Sequence, residues 1–329
     1  MNQSKNFQLK LFKLISIFIF AFISLILLPF FGTYLINILD LPQNNDLVHL
    51  LLTYRIPRIL IAFVSGSLLA LGGLLIQSIF SNVLATPYTL GISSASALGA
   101  VLAMYLNISF SLCGIESTTL FAMLFSLIFI VLLYFIARKQ SFLNSNKILL
   151  IGIALNMLCS SILLFIQINM DYMNTFKILH WLVGSINNVS YEVFFILLIV
   201  LLCSLPIILS RHLELDLLSV GEDFALSKGV SVQKIRWLFV ILSSTIVGVV
   251  VSFLGPIAFV GLIVPNISRA LFGSKHLWLT FVCILLGGTL LIYADLISRV
   301  ILPPVEIPLG IFTSLLGALF FLYLIFKNV

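Results

Sequence analysis

Few residues in this chain are of types that do chemistry, and most of them stand apart. The cysteines Cys113, Cys159, Cys203 and Cys283 lie in or beside apolar runs without the spacing of a metal or redox pair, which points to packing. His49, His180, His212 and His276 are isolated near the ends of such runs and are expected as interfacial or loop residues. The 11 carboxylates are dispersed, and neither H-E-x-x-H, nor G-x-S-x-G, nor a pair of intramembrane aspartates occurs. A membrane enzyme needs such groups to converge near one face, so no catalytic residue, metal or cofactor is expected. The phosphate-cradling pattern G-x-x-x-x-G-K followed by Ser or Thr is absent too, so the chain does not hold a nucleotide in that manner.

Four small groups do carry a pattern. Arg55 and Arg58, at i and i+3, point to neighbouring faces of a helix start, where they either meet a partner or snorkel to lipid headgroups. Asp295 and Arg299, at i and i+4, can pair. Ser219 followed by Glu222 is a capping box, which predicts a short helix from Val220 that Gly229 stops. Gly221, Ala225 and Gly229 recur every four residues and would leave one side of that helix bare, although a mere connector between spans fits the spacing equally well. Asn144, Ser145 and Asn146 form a neutral polar cluster before an apolar run.

The elements that position these groups are membrane helices. Hydrophobic residues make up 61% of the 329 and charged ones only 9%, too much apolar surface for a soluble domain to hide. The apolar runs are continuous rather than alternating, which selects helices over a barrel. Runs of span length fall at 11–36, 57–80, 89–107, 119–137, 147–168, 192–210, 237–255, 256–271, 277–296 and 308–326. The all-α fold expected is thus a single polytopic domain, 1–329, with about ten spans and one charged loop at 211–236. The eighth run is short, with Gly255-Pro256 as a tight reversal before it, and Pro265 implies a kink whose freed carbonyl a neighbouring helix must satisfy. Gly66, Gly72 and Gly73 permit close helix packing. Lys5, Lys10 and Lys13 precede an apolar run at 14–28 with no clear cleavage site, which reads as an uncleaved first span.

The net charge of +6 is a matter of topology, since the basic residues sit at helix ends without the aromatic interleaving of a nucleic-acid surface. With the N-terminus inside, Lys5, Lys10, Lys13, Arg138, Lys139, Lys147, Arg211, Lys228, Lys234, Arg236, Arg269, Lys275 and Lys327 all fall on the inner side. Only Arg55, Arg58, Lys177 and Arg299 fall outside, as the positive-inside rule requires.

Several stretches, in order along the whole chain, resemble the permease subunits of type II ABC importers, the family that carries iron-siderophore complexes, haem and vitamin B12. They are RIPR at 55–58, the loop from Gln77 to Gly91, WLVGS at 181–185, LLSVGEDFALSKGV at 217–230, GLIVPNISR at 261–269, ADLISR at 294–299 and PPVEIPLGIFTSLLGALFF at 303–321. The resemblance implies ten spans per subunit, a second permease subunit (an identical copy or a close paralogue), cytoplasmic ABC ATPase subunits, and a periplasmic or lipid-anchored solute-binding protein. It implies that Ser219, Gly221, Glu222, Ala225 and Gly229 form the ATPase coupling helix. Arg55, Arg58 and Arg299 match the positions that bind acidic residues of the solute-binding protein, and Asn144, Ser145 and Asn146 correspond roughly to a cytoplasmic gate. The location implied is the bacterial inner membrane with both termini cytoplasmic. Val83 and Asn266 depart from the family's usual Pro and His. The ligand expected is an iron chelate (siderophore, ferric citrate or haem) or vitamin B12. The competing reading is an ion-coupled secondary transporter, which would place ionisable residues within its spans.

Overall fold

The computed structural model describes residues 2–32, 36, 44–112, 114–138, 145–186, 189–303 and 305–327. In chain order its helices are α1 (Asn2–Leu27), α2 (Asn45–Leu50), α3 (Ile56–Ile79), α4 (Ile92–Tyr105), α5 (Ser117–Arg138), α6 (Ser145–Ile168), α7 (Tyr172–Leu182), α8 (Tyr191–Ser210), α9 (His212–Val220), α10 (Glu222–Ser227), α11 (Val232–Leu254), α12 (Val260–Phe272), α13 (His276–Val300) and α14 (Leu309–Lys327). A two-residue antiparallel pair, β1 (Ser111–Leu112) with β2 (Ile115–Glu116), closes the turn between α4 and α5.

A helix occupies each of the ten expected spans. Among the described residues seven are long and apolar enough to cross a membrane, the helices at Ile92–Tyr105 and Val260–Phe272 are shorter, and α14 has 19 residues. α12 has 13 residues, about 20 Å at the α-helical rise, against a hydrocarbon core of about 30 Å. Non-helical backbone must therefore continue at membrane depth, where it is tolerated only when covered by protein or facing water. Tyr88, on the irregular segment before α4, supplies that cover. Its hydroxyl accepts from the Ile257 amide at 2.6 Å and also bonds the Ile257 carbonyl, in the break between α11 and α12.

The centre of the molecule is α3. Within one apolar 18-residue window of each span, 89% of the residues are buried for Asn45–Ile79, against 17% for Gln8–Phe30 and 22% for Lys147–Ile168, so α3 is walled by helices while α1 and α6 face outward. Small residues make this possible. A Cβ on Gly66 would overlap the carbonyl of Gly287 in α13, and one on Gly73 would overlap the carbonyl of Gly261 in α12, so both pairs touch backbone to backbone. Ser67 Oγ donates to Ile284 O at 2.8 Å and Ser243 Oγ to Gly72 O at 2.9 Å, which fixes α13 and α11 in register with α3.

Pro265 lies inside α12, so the carbonyl four residues before it, Gly261 O, has no helical donor. Gln77 Nε2 donates to that oxygen at 3.1 Å, and Gln77 Oε1 receives Arg269 from the last turn of α12. One α3 side chain thus satisfies the proline's orphan and seats a partly buried cation. Gln77→Leu leaves Gly261 O unmatched and Arg269 with the longer 3.5 Å bond to Asn266 Oδ1, and the expected cost is about 1–3 kcal/mol, read as a lower melting temperature in detergent. Gln77→Glu, which keeps a partner for Arg269 but not the donor to Gly261, should fall between the variant and the wild type.

Polar contacts separate into two ends, as alternating spans demand. At one end Ser81 meets Leu218, Asp216 meets His276 and Asn266 meets Val83. At the other, Arg58 meets Asp295 and Glu306, and Tyr191 meets the Leu52 carbonyl. They are called below the hairpin end and the arginine end.

Candidate functional site

At the arginine end, α3 begins where Pro57 cannot donate a backbone bond, and the preceding turn, Leu51–Arg55, widens to a π-helix. This sends Arg55 and Arg58 to different partners. Arg55 is buried and its Nη1 donates to the carbonyls of Pro29 and Phe30, both at 3.2 Å, which pins the end of α1 to the start of α3. Arg58 reaches across to α13, with Nε 3.1 Å from Asp295 Oδ1, and grips Glu306 with Nη1 and Nη2 at 3.3 and 2.9 Å. Arg299 holds the other oxygen of Asp295 at 3.0 Å, so the i, i+4 pair expected from sequence forms.

Asp295 is 1% exposed between two guanidiniums, whereas Glu306 is 50% exposed. Arg55, Arg58, Arg299 and Glu306 line one cleft of about 310 Å³. The three arginines expected to face a partner are therefore gathered in one place. Arg55 and Arg299 are buried and committed to internal partners, and Arg58 is the one whose outer ligand is itself in water. Neither snorkelling nor a row of free charges describes them. Glu306 is the site residue that sequence reasoning did not assign. An arginine that starts a span and a carboxylate in a proline-rich turn are the signals that could have paired it.

At the hairpin end, the capping-box expectation is corrected. Ser219 does not start a helix. It closes α9, and its hydroxyl donates back to Asp216 O at 2.7 Å. Buried Leu215 and Leu218 hold 212–220 helical against the bundle, and the chain then breaks at Gly221, whose φ of 154° and ψ of 152° suit only glycine. α10 starts at Glu222, with no side-chain cap. Glu222 pairs instead with Arg236 of α11, which is 2% exposed, and so clamps α10 to the next span.

The bare face is corrected as well. Space around Gly221 and Gly229 is open, but Ala225 is fully buried between them and presents nothing outward. The outward apolar side chains around the break are Val220, Phe224 and Leu226. In the suggested gate, Asn144 lies outside the described residues, and Ser145 and Asn146 begin α6 without described side chains.

His276, read from sequence as isolated, is buried and doubly bonded. Its Nδ1 lies 2.6 Å from Asp216 Oδ1 and its Nε2 2.6 Å from Ser78 Oγ. Burial raises the affinity of Asp216 for a proton. The side-chain and backbone bonds from His276, with the charges of His276 and His212, outweigh it and hold the carboxyl below the usual range. Asp216 is thus an anion at neutral pH. Of the cysteines, Cys159 and Cys283 are buried as expected, Cys203 is exposed, and Cys113 lies outside the described residues.

Helices long enough to span, a core walled by small residues and an ordered polar site at each end define a multi-pass helical membrane protein. The chain belongs to the FecCD transport family, whose pattern it matches over residues 15–327. It is 33% identical over 285 residues to the vitamin B12 import system permease protein BtuC of Vibrio vulnificus (strain CMCP6), covering 85% of this chain and 83% of that protein. It is 33% identical over 290 residues, 88% of each chain, to the Fe(3+) dicitrate transport system permease protein FecD of Escherichia coli (strain K12). A solved structure described as an inward-facing conformation of a metal-chelate type ABC transporter superposes with a TM-score of 0.86 at 31% identity, over 95% of this chain and 98% of the other.

Proposed function

We propose that this chain is the permease subunit of an ATP-driven importer that moves an iron chelate, haem or a corrinoid across the cytoplasmic membrane. Separate ATPase subunits supply the energy at the hairpin end. The observation that carries this reading is the hairpin itself, a charged two-helix projection bonded to three central spans. It turns Val220, at 70% exposure, with Phe224 and Leu226 to the outside. Apolar side chains standing among Glu222, Asp223 and Lys228 are surface that a protein partner would cover. A second permease subunit completes the pore, with Asn144, Ser145 and Asn146 as its cytoplasmic gate.

At the arginine end a solute-binding protein docks by charge. A carboxylate on that partner replaces Glu306 on Arg58, a contact that speeds encounter and weakens as salt rises. Asp295 stays inside, held by Arg58 and Arg299. A carboxylate so held is a poor ion carrier, which weighs against the ion-gradient reading.

The test is uptake into proteoliposomes by the chain assembled with its ATPase and binding protein, with ATP and without an ion gradient. ATP-dependent accumulation of ferric citrate, haemin or cobalamin is expected, and accumulation that follows only an imposed ion gradient would sink the reading. Val220→Arg should leave membrane insertion intact and reduce ATPase association about tenfold or more, in line with truncation of an interface anchor. Co-purification of the ATPase at wild-type stoichiometry and affinity would remove the hairpin as the dock. Ala225→Arg is a poorer probe, because it attacks the hairpin's own packing.

A further inference from the structure

Asp216 is the only carboxylate of α9 whose oxygen reaches a transmembrane helix among the described residues. Asp216 Oδ1 accepts from the backbone amide of His276 at 2.7 Å and from its Nδ1 at 2.6 Å. Lys275, the residue ahead of α13, provides no side-chain cap, so α9 caps the positive end of α13 from outside. The imidazole then continues to α3 through Ser78 Oγ at 2.6 Å, and Ser81 Oγ, one turn further, donates to Leu218 O of α9 at 3.1 Å. α9 is therefore bonded directly to α13 and to the turn that follows α3, and through His276 to α3 itself, and each bond fixes a direction in a way that apolar contact does not.

The two helices it holds are locked to each other along their length. Gly66 and Gly287 touch through backbone midway, and Arg58 of α3 pairs with Asp295 of α13 at the far end. α3 has 24 residues and α13 has 25, so the pair is a strut of about 36 Å at the helical rise. A displacement of α9 cannot be absorbed by slip of one helix past the other without breaking the Ser78–His276 bond, the Gly66/Gly287 contact or the Arg58–Asp295 pair.

Resting on the reading of the chain as an importer permease, we propose that Asp216, His276 and Ser78 form a positioning latch. It delivers movement of the hairpin to the α3/α13 strut and hence to the arginine end. The latch residues touch neither ligand nor nucleotide and act only by fixing α9 to the strut. The bland account is a helix cap that contributes stability alone. The two differ in what the assembled complex does with each ATP.

The experiment uses the purified complex of permease, ATPase and binding protein in proteoliposomes, with ferric citrate, haemin and cobalamin as probes. It measures ATP hydrolysis, its stimulation by the loaded binding protein, and probe accumulated per ATP. Asp216→Ala is expected to keep basal hydrolysis while accumulation per ATP and stimulation by the binding protein both fall about tenfold. Asp216→Asn, which retains an oxygen for the His276 amide, is expected to recover most of the loss. Accumulation per ATP at the wild-type ratio in Asp216→Ala overturns the latch, whatever that variant's stability. Should Asp216→Ala not assemble, Ser78→Ala combined with Ser81→Ala cuts both bonds toward α3, and a wild-type ratio there overturns it equally. Failure of the wild-type complex to accumulate any probe with ATP would remove the importer reading and the latch with it.

Discussion

Asp295→Ala is expected to destabilise the folded protein by about 3–5 kcal/mol, the range for removing one partner from a buried ion pair. Arg58 and Arg299 converge on that carboxylate from opposite oxygens, and its side chain is 1% exposed. Without it two guanidiniums face each other in a site with little water, and their repulsion adds to the lost attraction. Arg58 keeps Glu306, at half exposure, so it retains one partner, but Arg299 loses its carboxylate. The measurement is thermal unfolding in detergent, followed by the fraction that remains monodisperse. A fall in melting temperature no larger than that of an exposed control such as Asp171→Ala would show that the cleft lets in enough water to screen the pair. Replacing Asp295 and Arg299 together by leucine and methionine should recover much of the loss, because the one guanidinium that remains, Arg58, keeps Glu306 as its partner.

The second large effect is steric. Gly73→Val is expected to cost at least about 3 kcal/mol, the upper end of overpacking penalties, because what the new side chain meets is backbone. A Cβ at Gly73 would overlap Gly261 O, and that is the same carbonyl that Gln77 satisfies in place of Pro265. Forcing α12 away from α3 therefore also strips a buried hydrogen bond. Gly72 supplies the control on the adjacent face. Its Cβ would lie 2.6 Å from Val247 Cγ2, a side-chain tip that can rotate aside. Unfolding of Gly73→Ala and Gly72→Ala under the same conditions should place the first well below the second. Equal losses at the two positions would mean that α12 yields as readily as a valine methyl.

The parts of this protein visible in its sequence are those set by solvent or by local chain geometry. Ten spans follow from runs of apolar residues because a bilayer imposes its thickness on each run separately. The kink at Pro265 is equally local, and so is the identity of its orphan, four residues back. The donor that satisfies it was not readable, since Gln77 lies 184 positions away. The partner of His276 is unreadable for the same reason, Asp216 being 60 positions off with α10, α11 and α12 between them. Ser219 and Glu222 fit a capping box by spacing, but burial of Leu215 and Leu218 carried the preceding helix through Ser219, and Glu222 found Arg236. Arg55 and Arg58 were recognisable as a site by their place at the start of a span. That one would be consumed by α1 carbonyls and the other shared between two carboxylates depends on where α1 and α13 end up. Local rules lose wherever a distant partner offers a stronger interaction.

The contrast between α3 and α1 has a consequence for how the chain can change. On α1, Phe12, Phe18 and Phe22 are exposed, and fluid hydrocarbon against such a face accepts any apolar shape. On α3 nearly every side chain from Ile59 to Ile79 is defined by a particular neighbour. Saturation mutagenesis should accordingly find α1 writable in a small alphabet with many spellings and α3 in almost one. Two helices of similar length and greasiness carry very different amounts of information, and the greater share lies in the one that lipid hardly touches.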